Sequence, residues 1–373
     1  MKKAIFLSHK DLISSKITGG VQLCSTELLS VIKNSAVIDV QEYHIDYTRR
    51  ITDRLKIKLG LENYNMYDVK KDTPALLNFI EQENIEIVFI NMASAVRYAK
   101  PIKEKFGNLV QVILLSHGNH SGDFLHLITK PLKKESFYSS VRNKCRIGYL
   151  LSTESEYRVK YLDGVVTLSE TEKQIENWMN AKKTLFFPRF LQSAFLHYQP
   201  DLDKIGFVGR LDHPPNIQGL GILCNSFSKK DTGKLKIRVV GAPISDGKKL
   251  AKKYGFVEYL GELSDEALET EAASWSYFLN PVWWYSTGAS TKLAKAISWG
   301  LPIATTTAGR RGYSWIDGQI QETNSPDEMC EMILTSVKDI NEIKYLSNET
   351  KKVAVSGPEL GALTRELENF CFK

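Results

Sequence analysis

Along the chain, short apolar runs alternate with longer stretches whose apolar residues recur every three or four positions. The runs are KAIFLS (3–8), SAVIDVQEYHI (35–45), IEIVFIN (85–91), VQVILLSH (110–117), GVVTLS (164–169), KTLFFP (183–188), KIGFVG (204–209), KIRVVG (236–241), FVEYLG (256–261), SYFLNPV (276–282) and LPIATT (301–306). Several are apolar at successive positions, as strands are when helices cover both faces of a parallel sheet. Between them lie amphipathic stretches such as VQLCSTELLSVIK (21–33), TPALLNFIEQ (73–82), ETEKQIENWMN (170–180) and TKLAKAISWG (291–300). Strand–helix–strand alternation predicts α/β architecture with doubly wound sheets.

The pattern restarts near residue 204, after a stretch without clear periodicity, RFLQSAFLHYQPDLD (189–203). This predicts an N-terminal domain over 1–190 and a second over 204–355, with a last helical stretch (356–373) packing back on the first. A length of 373 residues suits two domains of ordinary size. Ligands of such sheets bind beyond the carboxyl ends of the strands, so the chemistry is expected in the loops that follow them.

With 43% hydrophobic and 25% charged residues, the composition is that of a soluble globular protein. The net charge of +6 favours anionic partners without choosing among them. Nucleic acid is disfavoured, because the basic residues form no stripe and no helix-turn-helix, zinc or RNA-binding motif appears. Five scattered cysteines lack metal-ligand spacing and suit a reduced cytosolic compartment. The apolar part of the start, MKKAIFLSHKDL, is too short for a signal peptide. No run approaches the roughly 18 apolar residues of a membrane span.

Four loops carry candidate chemistry. Gly19 and Gly20 open the helix at 21–33, where a backbone can approach a phosphate closely. His117 ends the strand at 110–117, a place for a sugar-hydroxyl contact or a base, with His120 and Asp123 close by. Arg210 follows Gly209, offering a guanidinium fork to phosphate oxygens or pairing with Asp212, and Asn216 can cap the next helix. In YSTGASTK (285–292), small residues expose backbone N–H groups before a helix that starts at Thr291 and Lys292. An ammonium and a helix N-terminus together suit a diphosphate, or simply begin a helix with exposed lysines. Trp283, Trp284 and Tyr285 precede this loop, as a stacking platform or as packing. Glu154, Glu156 and Glu262 read as solvated charges.

The order of short motifs says more than any one of them. G-G near the start is followed by V-G-R, R-V-V-G, Y-L-G, G-x-x-x-K, G-L-P-I and a closing G-x-x-G. This series resembles the retaining nucleotide-sugar glycosyltransferases of family 4, most strongly over 204–312. The resemblance implies the GT-B fold, two Rossmann-like doubly wound domains facing across a cleft. It implies that Gly20, beside Gly19, approaches the donor diphosphate and that Arg210 and Lys292 neutralise it. Gly209 and Gly241 would end donor-domain strands, and Leu260, Gly261 and Leu263 would flank the nucleobase. Thr287, Gly288, Ser290 and Thr291 would form the donor loop, and His117 would touch the donor sugar. A UDP-sugar is the implied donor and a glycan or lipid-linked glycan the acceptor, in bacterial surface-polysaccharide or lipopolysaccharide assembly. No metal is implied, because basic side chains and a helix dipole supply the electrostatics.

Two positions depart from the family pattern. Asn216 stands near the second basic position of G-R-L-x-x-x-K-G. The E-x7-E pair falls on Thr287 and Lys295, and a lysine cannot accept the ribose hydroxyls. Either the ribose is held elsewhere, or Lys295 meets an extra donor charge, or activity is lost. The alternatives to an active transferase are an inactive sugar-nucleotide-binding subunit of a synthase complex and another GT-B enzyme such as an epimerase. Basic segments at 95–106 and 130–146 suit either a solvated face or an anionic bilayer, which would place the protein in the cytoplasm, peripheral at the inner membrane face.

Overall fold

The computed structural model describes residues 1–14, 19–58, 64, 66–129, 136–284 and 287–373. They form two compact units: Met1–Arg189 with Thr287–Ala289 and Glu359–Lys373, and Phe190–Ser286 with Ser290–Pro358. Tyr285 and Ser286, and residues 130–135 of the basic segment, lie outside the described residues.

The first unit is built on strands β1 (Lys2–Ser8), β2 (Ile38–His44), β3 (Ile87–Asn91), β4 (Gln111–Leu115), β5 (Gly164–Thr167) and β6 (Thr184–Phe186). They pair in the order β2-β1-β3-β4-β5-β6, parallel throughout. The chain runs one way from β1 to β2 and the other way from β3 onward, so the switch point lies between β1 and β3. Burial follows from that order. All five residues of central β3 are buried, whereas edge strand β2 exposes Asp39, Gln41, Glu42 and His44. Ile5, Leu7, Ile90, Val112 and Leu114 join helix residues Ile102 and Leu150 in the core. The final helix, Leu360–Phe372, belongs to this unit. Asn34 Nδ2 donates to Thr364 Oγ1 at 3.0 Å, and a Cβ on Gly164 would lie 2.5 Å from the Phe370 ring.

The second unit holds β7 (Asp201–Val208), β8 (Lys236–Val240), β9 (Val257–Gly261), β10 (Trp275–Asn280), β11 (Ile303–Thr305) and β12 (Gln321–Glu322). Their order is β12-β11-β10-β7-β8-β9, again parallel. All six residues of β10 are buried, and Trp275 fits only because Gly206 on β7 lacks a Cβ, which would fall 1.9 Å from the indole.

Each of the eleven apolar runs overlaps a strand, although β7 begins at Asp201, inside the stretch 189–203 that was read as aperiodic. Two-residue β12 was not foreseen, because it is too short to show a period. The first half of the 24-residue helix Phe137–Lys160 was read only as a basic segment. Its apolar residues face outward as well as inward, which hides the helical repeat.

Candidate functional site

In the second unit, the loops that follow β10 and β11 are fixed by small polar residues. Asn280, fully buried at the end of β10, donates from Nδ2 to Thr305 Oγ1 (3.1 Å) and to the Gly309 carbonyl (2.9 Å). Its Oδ1 accepts from Ser290 Oγ at 3.3 Å, and the Ser290 carbonyl accepts from the Tyr313 hydroxyl at 2.6 Å. Ser290 is the N-cap of the helix Thr291–Trp299 but makes no side-chain cap bond, so the first N–H groups of that helix stay available. Thr306 Oγ1 accepts from Gly309 N–H at 2.9 Å and donates to the Val282 carbonyl.

Lys292 stands in the first turn of that helix. Its Nζ donates to Asn216 Oδ1 at 2.5 Å and lies 4.8 Å from the centre of the Phe207 ring. Loss of hydration, reinforced by the nearby Arg311 guanidinium, lowers its pKa to about 7. Among the described residues no carboxylate pairs with it. Arg311, which the sequence reading passed over inside TTAGRRG, donates from Nη1 to the Ala308 carbonyl at 2.6 Å. An enclosed ammonium beside a second cation, with an aromatic face and an amide oxygen as neighbours, is short of negative charge.

Asn216 is not the helix cap expected of it. His213 occupies the N-cap, and Pro214 and Pro215 fill the first two helical positions, which carry no needed N–H. Asn216 instead bridges the loop to Lys292, its Nδ2 donating to the Arg210 carbonyl at 2.9 Å. Gly209 and Gly241 let the ends of β7 and β8 close up, since a Cβ on Gly241 (φ +142°) would fall 2.0 Å from the Gly209 carbonyl oxygen. Leu260 and Gly261 end β9, where the Gly261 carbonyl accepts from Gly241 N–H at 2.8 Å, and partly buried Leu263 follows.

Of the two readings of Arg210, the pair with Asp212 is the one seen. Its side chain is 70% exposed and forms a two-pronged pair with Asp212, at 2.9 and 2.5 Å. Lys295 donates to Asp265 Oδ1 at 2.9 Å and lies 5.0 Å from the Trp299 ring centre. The same contact holds the Asp265 pKa below the ordinary carboxylate range. Trp284 is buried, and Trp283 donates from Nε1 to the Asn324 carbonyl at 3.1 Å.

In the first unit, Gly19 is the N-cap of the helix Gly20–Lys33 and gives it no side-chain cap. At the carboxyl ends of β1, β3 and β4 a polar chain runs from Ser8 to His117. Asn91 Nδ2 donates to Ser8 Oγ and Ser25 Oγ, both at 3.0 Å, which leaves its Oδ1 to accept from His117 Nε2 at 2.9 Å. That arrangement assigns the Nε2–H tautomer and leaves Nδ1 as an acceptor. Burial, with the charge of Arg189, lowers the His117 pKa to about 3, so the ring is neutral at physiological pH. Asn91 was missed, although a polar residue ending a fully apolar run was a usable signal.

Thr287 and Gly288 cluster with this first unit rather than with the domain predicted over 204–355. Asp123 accepts from the Thr287 N–H (3.0 Å) and hydroxyl (2.8 Å), and Glu172 accepts from Gly288 N–H at 2.7 Å. Gly118 (φ +116°) is required here, because its Cβ would fall 2.3 Å from the Thr287 side chain. His120 lies edge-on to Tyr64 at 5.1 Å, and burial lowers its pKa.

Glu154 is not a solvated charge. It is fully buried, accepting from the Tyr64 hydroxyl and from the Ser121 N–H and hydroxyl. A carboxylate buried between helices by tertiary packing has no local signature. Glu156 does sit at the surface, paired with Lys160 at 3.0 Å, and Glu262 is exposed.

One substitution tests the loop that carries Arg311. In Gly309→Ala the new Cβ would lie 2.8 Å from the Asn280 carbonyl and 2.5 Å from Thr305 Oγ1, both buried. Such overpacking is expected to cost about 1–3 kcal/mol, read from urea melts. Wild-type stability would show that the loop is loose.

Residues 203–339 match the family described as glycosyl transferases group 1. No curated protein is a detectable sequence relative of the chain. Among solved structures the chain resembles the HepE protein of Anabaena in complex with UDP-glucose, at 13% identity over 99% of both chains and a TM-score of 0.57. It also resembles the lipopolysaccharide outer core galactosyltransferase WaaB, at 14% identity over 99% of this chain and 95% of that one, with a TM-score of 0.56. A third is sucrose-phosphate synthase from Thermosynechococcus elongatus, at 13% identity over 99% and 98% of the chains and a TM-score of 0.66. These likenesses show the fold to be that of the two-domain, Rossmann-like GT-B proteins. With the family match they support a sugar transferase.

Proposed function

We propose that this protein is a retaining glycosyltransferase that takes a sugar from a nucleotide diphosphate donor, a UDP-sugar, and transfers it to a glycan or lipid-linked glycan acceptor. The observation that carries the reading is Lys292, an enclosed ammonium beside Arg311 with no carboxylate partner among the described residues. A donor diphosphate supplies the missing charge, and a charged hydrogen bond to it contributes roughly 1.5–3 kcal/mol. The cations then stabilise the diphosphate as it leaves, which is the electrostatic task a metal would otherwise perform. Arg210 joins them only by leaving Asp212, a surface pair that holds it weakly. His117, neutral with Nδ1 as acceptor, suits a sugar hydroxyl better than it suits proton abstraction. Transfer with retention rests on the acceptor hydroxyl being held on the face of the anomeric carbon that the nucleotide leaves, where the departing diphosphate can take the hydroxyl proton. Surface-polysaccharide or lipopolysaccharide assembly, at the inner membrane face, is the setting the motif series favours.

A second reading is supported by Lys295. Its ammonium pairs at the surface with Asp265 and cannot accept a hydrogen bond from a ribose hydroxyl. The ribose must then be held elsewhere, or the chain binds a sugar nucleotide without turning it over.

Thermal melts with UDP, GDP, CMP and ADP, and with UDP- and GDP-sugars, test both readings on wild type and Lys292→Met. Ligand at about 100 times Kd stabilises by about 2.7 kcal/mol. A shift with one nucleotide that the variant loses, together with slow release of that nucleotide from its sugar, is the expected result. The shift without any sugar release, even with acceptor glycans present, favours the binding subunit. No shift with any nucleotide removes the donor reading.

A further inference from the structure

One face of the first unit places large apolar side chains in water beside cations. On the helix Phe137–Lys160, Phe137 is 83% exposed, Tyr138 88% and Val141 46%. At about 100° per residue, Phe137, Tyr138, Val141, Cys145 and Tyr149 share about a third of the helix circumference. Lys144 borders that arc on one side and Arg142 on the other, both exposed. The neighbouring helix His120–Thr129 packs against this one and exposes Leu125 and Leu127. Elsewhere in the unit the helix Ile51–Lys58 repeats the combination, with Ile51 and Leu55 exposed beside Arg50 and Arg54.

Single exposed apolar residues are ordinary, but a cluster rimmed by cations marks an interface. A two-fold contact with a second copy would bring Arg142 and Lys144 against like charges, which disfavours that occupant. An apolar arc with basic borders is instead the pattern of a helix lying in a membrane interface. No helix among the described residues is long and apolar enough to cross a membrane.

We propose that this face docks on an anionic lipid bilayer. Phe137, Tyr138 and Val141 enter the boundary between headgroups and acyl chains, and Arg142 and Lys144 meet lipid phosphates. The helix Phe137–Lys160 returns the chain to the start of β5, so its first turns lie at the carboxyl edge of the sheet. His117 follows β4 at that same edge, where, if the transferase reading holds, a lipid-linked acceptor would be presented.

Flotation with vesicles tests the surface without any sugar chemistry. The full chain is expected to float with phosphatidylcholine vesicles containing phosphatidylglycerol, less so in high salt, and not with phosphatidylcholine alone. Arg142→Glu with Lys144→Glu is expected to weaken binding at least thirtyfold, at about 1 kcal/mol per basic residue lost. The triple change Phe137→Ser, Tyr138→Ser and Val141→Ser is expected to abolish flotation. Retention of the wild-type nucleotide melting shift would show these variants to be folded. Failure of the wild type to float with anionic vesicles overturns the proposal and leaves the donor reading untouched. So does self-association that the triple change removes, since the face would then belong to a second copy.

Discussion

The affinity for a nucleotide diphosphate sugar is expected to hold steady below pH 7 and to fall about tenfold per pH unit above it, about a hundredfold two units higher. The cause is the Lys292 ammonium, whose pKa burial and Arg311 bring down to about 7. The donor phosphates stay ionised over this range, so the titrating group is the lysine. A bound diphosphate restores its counter-charge and keeps the proton on, and above pH 7 that proton must be taken up from solution. Stability of the free protein has the opposite sign. The unfolded lysine titrates near its ordinary 10.5 and the folded one near 7. The unfolded state therefore binds more protons between those values, and the contribution of this group to stability rises with pH across that window. Calorimetric titration in two buffers of different ionisation enthalpy would show the proton uptake directly. Lys292→Met should remove both slopes along with most of the affinity. An affinity that stays flat two units above neutrality would mean that Lys292 does not meet the diphosphate.

Glu176→Leu is expected to cost the first unit about 3–5 kcal/mol, the usual penalty for leaving a buried charge without its partner. Arg158 and Glu176 are both fully buried, and Arg158 donates to the two carboxylate oxygens from Nε and Nη2, each at 2.8 Å. Its Nη2 also donates to Asn119 Oδ1 at 2.8 Å, and Nη1 to the Glu154 carbonyl at 3.3 Å. Asn119 lies two residues beyond His117, so the loop at the end of β4 rests on this guanidinium. Urea unfolding measures the loss. The double variant Arg158→Met with Glu176→Leu should recover most of it, because an apolar pair leaves no buried charge behind. A single-variant cost below about 1 kcal/mol would show that water reaches Arg158 and that the pair is not sealed.

Much of the site was legible one residue at a time, and much less of it as a constellation. Lys292, His117, Gly209 and Gly241 could be singled out because strands of a parallel sheet deliver their loops to one edge, and glycine or a lone titratable residue is conspicuous there. Arg311 sits in an equally placed loop but beside Arg310, a residue of its own kind. Asn91 ends β3 itself and was passed over although its place after an apolar run marked it. Asn216 was seen and given the wrong task, since a cap and a side-chain bridge look identical in sequence. Arg210 was open to either a phosphate or Asp212, and it is found on Asp212, two residues away. An arginine takes the nearest carboxylate when no stronger anion competes.

What the sequence alone determined is the class of fold and the approximate position of every strand but the two-residue β12. Both follow from short-range patterns: apolar runs long enough for one strand, separated by amphipathic stretches that can cover a sheet. The order in which those strands pair, the burial of Glu154 and Arg158, and the grouping of Thr287–Ala289 with the first unit were decided only by the tertiary structure. Those are contacts between residues tens to hundreds of positions apart. Burial, not residue type, determines whether a carboxylate is solvated, whether a lysine titrates near 7, and whether an asparagine caps a helix or holds an ammonium.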